Sequence, residues 1–309
     1  MALRSSPGGV GVEIPSAGRH GGDGARLAAA LGVSPDAVLD LSASLNPVAP
    51  DLRPVVARHL GAVGRYPDPA AATAALAAAI GVDPGRVLLT NGGAEAIALV
   101  AAEVGGHVDE PEFALHPRRA GGPRWRSNPH SPTGRLAGGD EAAGVWDEAF
   151  YALATGLWTR GEAERGAVVV GSLTKLFACP GLRLGYVLAP DGALVDRLRH
   201  RQPTWSVNGL AAAALPELLD GADLAGWAAA IGALRAELAA LLAGHGLDPL
   251  PSDANWVLCA RASGLRERLA PHGVLVRDCA GFGLADHARV AVPDQAGIER
   301  LAAALAATS

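Results

Sequence analysis

One stretch of this sequence gathers groups able to act together on a small anionic molecule: Gly171, Ser172, Thr174, Lys175, Pro180, Gly181, Arg183, Gly185 and Tyr186 in sixteen residues. Lys175 follows the apolar run Val168, Val169, Val170 and precedes Pro180 and Gly181, which predicts a turn after a strand rather than a solvated helix face. A lysine ordinarily snorkels along the surface. Lys175 keeps different company. Ser172, Thr174 and Arg183 are donors of the kind that surrounds an anion, and Asp147 lies one predicted strand earlier. An amine beside an anion site and a carboxylate is what pyridoxal phosphate requires. Ser and Arg take its phosphate, the amine forms a Schiff base, and the carboxylate keeps the pyridine nitrogen protonated.

These groups need a scaffold, and the hydrophobic pattern predicts a mixed one. Helical patterns fall near 25–32, 51–61, 70–80, 94–104, 191–200, 207–219, 222–243 and 294–307. Strand signals fall at 38–41, 87–90, 145–146, 167–171, 184–188, 254–260, 274–277 and 288–292. Residues 1–24, rich in Gly, Pro and Ser, read as an extended arm. The expected division is an arm over 1–46 that joins the small domain, a cofactor domain over 47–203, and a small α/β domain over 204–309.

Composition closes off several classes. The 309 residues carry 26 Lys and Arg against 31 Asp and Glu, a net charge of −5, with half the residues apolar and 18% charged. That excludes a disordered chain and gives no basic footprint for nucleic acid. Cys179, Cys259 and Cys279 are odd in number and widely spaced, which fits a reducing, cytoplasmic setting without a disulfide framework. No run of eighteen apolar residues free of Gly or charge suggests a membrane span. The nine histidines show no HxH or HExxH spacing, so no metal site is expected, and most read as surface or hydrogen-bonded groups.

The segment from Ser172 to Tyr186, written SxTKxxxxPGLRxGY, resembles the fold-type I pyridoxal-phosphate enzymes of the class I/II aminotransferase family. The resemblance spans about residues 20 to 305. It implies Lys175 as the Schiff-base lysine, Ser172 and Arg183 on the cofactor phosphate, and Asp147 on the pyridine nitrogen. Asn91, Gly92, Gly93, Ala94 could be an ordinary strand-to-helix turn, but in this context the amides of Gly93 and Ala94 suit the phosphate. Phe113 matches the aromatic that stacks on the pyridine ring. Tyr66 matches a tyrosine that reaches the phosphate of a neighbouring subunit, which implies a homodimer. Arg289 matches the arginine that receives the substrate carboxylate in a bidentate fork.

His20, Gly21, Gly22 and the stretch from Leu41 to Pro47 resemble the branch that holds threonine-phosphate decarboxylases and histidinol-phosphate aminotransferases. There His20 and Asn46 are implied to bind the phosphate of a phosphorylated amino-acid substrate, with Arg277 as a further phosphate or carboxylate contact. The expected activity is decarboxylation of L-threonine O-3-phosphate. Transamination of histidinol phosphate and a non-catalytic pyridoxal-phosphate-binding protein are the alternatives.

Two departures stand out. Ser131 occupies the place of the family's Asn on the cofactor 3′-oxygen, and Phe150 stands where many relatives carry a Tyr, with Tyr151 beside it as an expected cofactor contact. The intervals are also short. Asp147 follows Gly134 by 13 positions, room for barely a helix and a strand, and Asn128 follows Gly93 by 35, where strands of the relatives are expected to be missing. The expectation is a trimmed mixed-sheet cofactor domain that keeps every class of cofactor ligand.

Overall fold

The computed structural model describes residues 13–308, so the first twelve residues of the expected arm lie outside the described residues. The strands are β1 (Leu39–Leu41), β2 (Val87–Asn91), β3 (His107–Val108), β4 (Arg124–Ser127), β5 (Val145–Asp147) and β6 (Val168–Gly171). They continue as β7 (Leu184–Leu188), β8 (Asp248–Pro249), β9 (Trp256–Ala260), β10 (Val274–Asp278) and β11 (Ala288–Ala291).

Six of them form a sheet in the order β2-β7-β6-β5-β4-β3, with β7 antiparallel to both neighbours and the remaining pairs parallel. Its central strands are buried on both faces, as the continuous apolar run Val168, Val169, Val170 requires. Alternation sorts the side chains: Leu89, Trp146 and Val169 pack into one core, Leu88, Val145, Val168 and Val170 into another. The second sheet runs β1-β10-β11-β9-β8, and β1, from the start of the chain, pairs in parallel with β10. Its core holds Val257, Val274, Val276, Val290, Leu301 and Leu305.

The structure departs from the sequence pattern where glycine and proline punctuate it. The helix expected over 51–61 is six residues, Arg53–Arg58, followed by a 3-10 turn over Leu60–Gly64 that Gly61 and Gly64 interrupt. The interval from Gly134 to Asp147 holds β5 and no helix; Gly138, Gly139 and Gly144 lie in it. The interval from Gly93 to Asn128, where the pattern gives no strand signal, carries the short β3 and β4. Lys175 sits in a single helical turn, Leu173–Leu176, rather than in a plain turn.

Among the described residues one helix, Leu224–Gly244, is long and apolar enough by length and composition to cross a membrane. Trp227, Ile231, Leu238 and Leu242 anchor one side of it to the two cores, and its Arg235 donates to the carbonyls of Asp253 and Ala254.

Candidate active site

A cavity of about 530 Å³ opens between the two sheets. It is lined from the large sheet by Asp147, Ser172, Lys175 and Arg183, and from the small one by Arg277 and Arg289. Gly93, Ala94, Phe113, Ser131 and His20 complete the walls the sequence pointed to.

Local chemistry explains the lysine turn. The Thr174 hydroxyl donates to the Leu184 carbonyl and accepts from the Leu184 N–H, both at 3.0 Å, which fastens the turn to β7. Burial, then the positive charges of Arg289, Arg183 and Arg277, pull the Lys175 amine down to about 8 against the attraction of Asp147. A lysine so depressed supplies neutral amine near neutral pH, the form that attacks a carbonyl. Its Nζ lies 5.8 Å from the centre of the Phe150 ring.

The anion end is built around glycine. Gly92 has φ 77°, and a Cβ there would overlap Arg183 Nη2; Arg183 itself sits at φ 55°. A left-handed non-glycine residue carries local strain, and here it accompanies a guanidinium laid against the start of the helix Gly93–Val104. With the Ser172 hydroxyl and the amides of Gly93 and Ala94, this is a cluster of donors of the kind that can take a phosphate.

The opposite wall is a carboxylate network. Asp147 Oδ1 accepts from the Ala149 N–H at 3.0 Å, and Oδ2 stands 3.0 Å from His116 Nε2. On the other side of that ring Glu112 Oε2 lies 3.4 Å from Nδ1, an ion pair too poorly aligned to count as a hydrogen bond. Glu112 also accepts from the Ser127 N–H and hydroxyl, both at 2.7 Å, and from the Phe113 N–H at 2.8 Å. Burial alone would lower the His116 pKa, but the two carboxylates override it and hold it up to about 9. For Glu112 the balance also favours charge: burial works upward, while His116 and the Ser127 donors pull its carboxyl well below the usual range. For the neighbouring Glu148 burial wins and pushes it up to about 7, although Thr159 and the Arg160 N–H donate to it.

The substrate end presents two arginines. Arg277 and Arg289 face each other across the antiparallel pair β10 and β11, both buried. Among the described residues neither has a carboxylate within ion-pairing distance. Arg277 stacks on Phe282 and donates to the Arg19 carbonyl at 3.3 Å. Arg289 stacks on Trp256 and reaches Ser131 Oγ at 3.4 Å. Burial first, and the Arg277 charge second, pull the Arg289 guanidinium down to about 9. His20 stands at the cavity mouth, its ring 5.9 Å from that of Phe113.

Three expected residues lie elsewhere. Asn46 is buried but spent on backbone: its amide donates to the Leu176 carbonyl at 2.9 Å and its oxygen accepts from the Val48 N–H, so it pins the β1 segment to the lysine turn. Tyr151 begins the short helix Tyr151–Thr155 and its phenol sits among Thr155, Glu148 and Arg160, outside the cavity wall, which Phe150 forms instead. Tyr66 is 78% exposed and stacks on Trp205 with ring centres 4.3 Å apart. Conversely, His116, Glu112 and Ser127 were not anticipated. The histidines as a group read as surface or hydrogen-bonded side chains, and no local motif marks His116 as buried.

The donor set fits pyridoxal phosphate at each point: a cradle for phosphate, an amine for the aldehyde, a carboxylate for the ring nitrogen and Phe113 for the ring face. Fold and site define a fold-type I pyridoxal-phosphate enzyme. The chain belongs to the aminotransferase class I and II family, whose model matches residues 126–305. It is 32% identical to threonine-phosphate decarboxylase of Salmonella typhimurium, over 93% of this chain and 95% of that one. It is 30% identical to histidinol-phosphate aminotransferase 2 of Methylococcus capsulatus, over 87% and 89%. Its fold matches the histidinol-phosphate aminotransferase of Sinorhizobium meliloti solved with pyridoxal-5′-phosphate, with a TM-score of 0.78 at 19% identity, covering 91% and 93%.

Proposed function

We propose that this enzyme decarboxylates L-threonine O-3-phosphate to 1-aminopropan-2-yl phosphate. The observation that carries the reading is the pair Arg277 and Arg289: two buried guanidiniums without carboxylate partners among the described residues, facing the cavity that holds Lys175. Unpaired buried charge is costly, so the site favours a ligand bearing two anionic groups beyond the cofactor phosphate. Arg289 takes the α-carboxylate, and Arg277 with His20 takes the substrate phosphate. The 32% identical decarboxylase supports the same reading.

Bound pyridoxal phosphate supplies the electron sink for the bond broken at Cα. The protein's own residues do the rest. Asp147 keeps the ring nitrogen protonated; Ser172, Arg183, Gly93 and Ala94 hold the phosphate; Phe113 covers one ring face. The Lys175 amine would hold the cofactor aldehyde and, once freed by the substrate amine, would be placed to deliver a proton at Cα. Two anchored ends fix rotation about the N–Cα bond and so select the carboxylate as the group to leave. Ser131, beside Arg289, stands nearest in type to a donor for the 3′-oxygen.

The reading extends to assembly and place. Tyr66, exposed beside Trp205, serves the phosphate site of a second copy, making a two-fold dimer. The division into 1–46, 47–203 and 204–309 and a cytoplasmic location, compatible with three free buried cysteines, go with it.

The test is product analysis with purified holoenzyme. The expected result is CO₂ from threonine phosphate without consumption of 2-oxoglutarate, with free threonine poorer by orders of magnitude. Amino transfer from histidinol phosphate without CO₂ release would move the activity to the other branch, which the 30% identical relative represents. Cofactor binding with neither reaction would make the protein a non-catalytic binder.

A further inference from the structure

Behind Asp147, outside the cavity wall, lies an ionisable pair that the reaction as described does not use. Asp147, His116 and Glu112 form a line of carboxylate, imidazole, carboxylate, with Nε2–Oδ2 at 3.0 Å and Nδ1–Oε2 at 3.4 Å. The side chains of His116 and Glu112 are 0% and 1% exposed, so water reaches neither. Asp147 and Glu112 are the charged groups that face the ring; the elements packed around it otherwise offer Trp125 and Phe113, at ring distances of 5.4 and 5.6 Å. An imidazole between two ionised carboxylates in so dry a place is held as the imidazolium: Nε2–H donates to Asp147 Oδ2, and the charge at Nδ1 is attracted by Glu112 across 3.4 Å.

We propose that Glu112 is a positioning residue for Asp147: acting through His116, it keeps the imidazole doubly protonated and fixed in orientation, so that Asp147 presents one fixed carboxylate oxygen to the cavity. The charge count supports the arrangement. An imidazolium alone would neutralise Asp147 and weaken its hold on a protonated ring nitrogen. The second carboxylate returns the cluster to a net charge of −1. Glu112 is fixed in turn by the Ser127 N–H and hydroxyl and by the N–H of Phe113, the residue set to cover the ring. One carboxylate therefore ties the ring-nitrogen partner and the ring-face partner into a single unit.

The inference rests on the reading of Asp147 as partner of the ring nitrogen, and the experiment separates the two. Holoenzyme with ¹⁵N-labelled histidine is compared with Glu112→Gln and Asp147→Asn at pH 8 by NMR, and the dissociation of pyridoxal phosphate is measured for each. The wild-type His116 signal should be that of an imidazolium. In Glu112→Gln it should become a neutral tautomer, with cofactor affinity weaker by about tenfold or more, the size set by one charge-assisted hydrogen bond. A merely structural Glu112 would lower affinity yet leave His116 doubly protonated, and that result overturns the proposal. So does a neutral His116 with unchanged affinity. If Asp147→Asn leaves affinity unchanged, the reading of Asp147 falls, while the His116 signal still reports whether Glu112 controls its protons. Should Glu112→Gln fail to fold, Glu112→Ala replaces it with the same readout: a His116 that stays doubly protonated defeats the proposal, and a neutral His116 with weakened cofactor affinity sustains it.

Discussion

Thr174 and Leu184 exchange two hydrogen bonds, hydroxyl to carbonyl and amide to hydroxyl, each 3.0 Å long. The two residues flank Lys175 and Arg183 in sequence, one immediately before the lysine and one immediately after the arginine, so the exchange fixes the spacing of the two groups in space. A valine at 174 keeps the shape and removes both bonds, leaving the Leu184 amide and carbonyl unpaired in a buried place. Thr174→Val should cost about 1–3 kcal/mol of stability, the range for orphaning buried polar groups. A calorimetric melt unchanged from wild type would refute this.

Gly92→Ala tests the phosphate cradle. The new Cβ must overlap Arg183 Nη2 and hold φ 77°, a conformation worth roughly 1–2 kcal/mol of strain for a non-glycine residue. Arg183 can swing aside, so the larger loss should fall on cofactor retention rather than on the fold. Gel filtration of the variant should strip pyridoxal phosphate that the wild type keeps.

Arg289→Lys separates charge from geometry. The positive charge stays, but the fork that grips a carboxylate and the stack on Trp256 are lost. Turnover per KM should fall by about tenfold or more, while the absorbance of the bound cofactor remains. Equal catalytic efficiency would mean that the carboxylate sits elsewhere.

The His116 cluster gives stability a pH dependence of definite sign. The folded-state pKa is raised from 6.5 to about 9, so its contribution is complete below pH 6.5 and is lost as pH rises through about 9. Lys175, lowered from 10.5 to about 8, works the other way over part of that range. Comparing His116→Gln with wild type at each pH cancels the lysine. The variant's melting temperature should fall less between pH 6.5 and 9; parallel curves would show that His116 does not titrate there.

The neighbourhood of Lys175 was legible because its signals are local: an apolar strand, a polar turn and a Pro-Gly stop within twenty residues. The outer limits of the helices over 70–80 and 94–104 were legible for the same reason. His116 was not, since its burial depends on β5 and β4 closing over it, and its partner Asp147 on β5 lies far from it in sequence. Residue type also failed to say which atoms were free. Asn46 looks like a ligand until its amide is found on the Leu176 carbonyl. For the adjacent pair Phe150 and Tyr151, the point at which the short helix begins decides which ring faces the cavity, and that point is a tertiary outcome.

The parallel pairing of β1 with β10 joins Leu39 to Val274, residues near opposite ends of the chain. Arg277 and Arg289 likewise follow Lys175 by about a hundred residues or more. On the ribosome, the large sheet and the lysine turn can therefore form while the far wall of the cavity does not yet exist. The nascent chain passes through a stage in which a reactive amine lies open to any small aldehyde in solution. Only when the final strands emerge does the early β1 segment find its partner, and the two halves of the cavity are closed together by one late event.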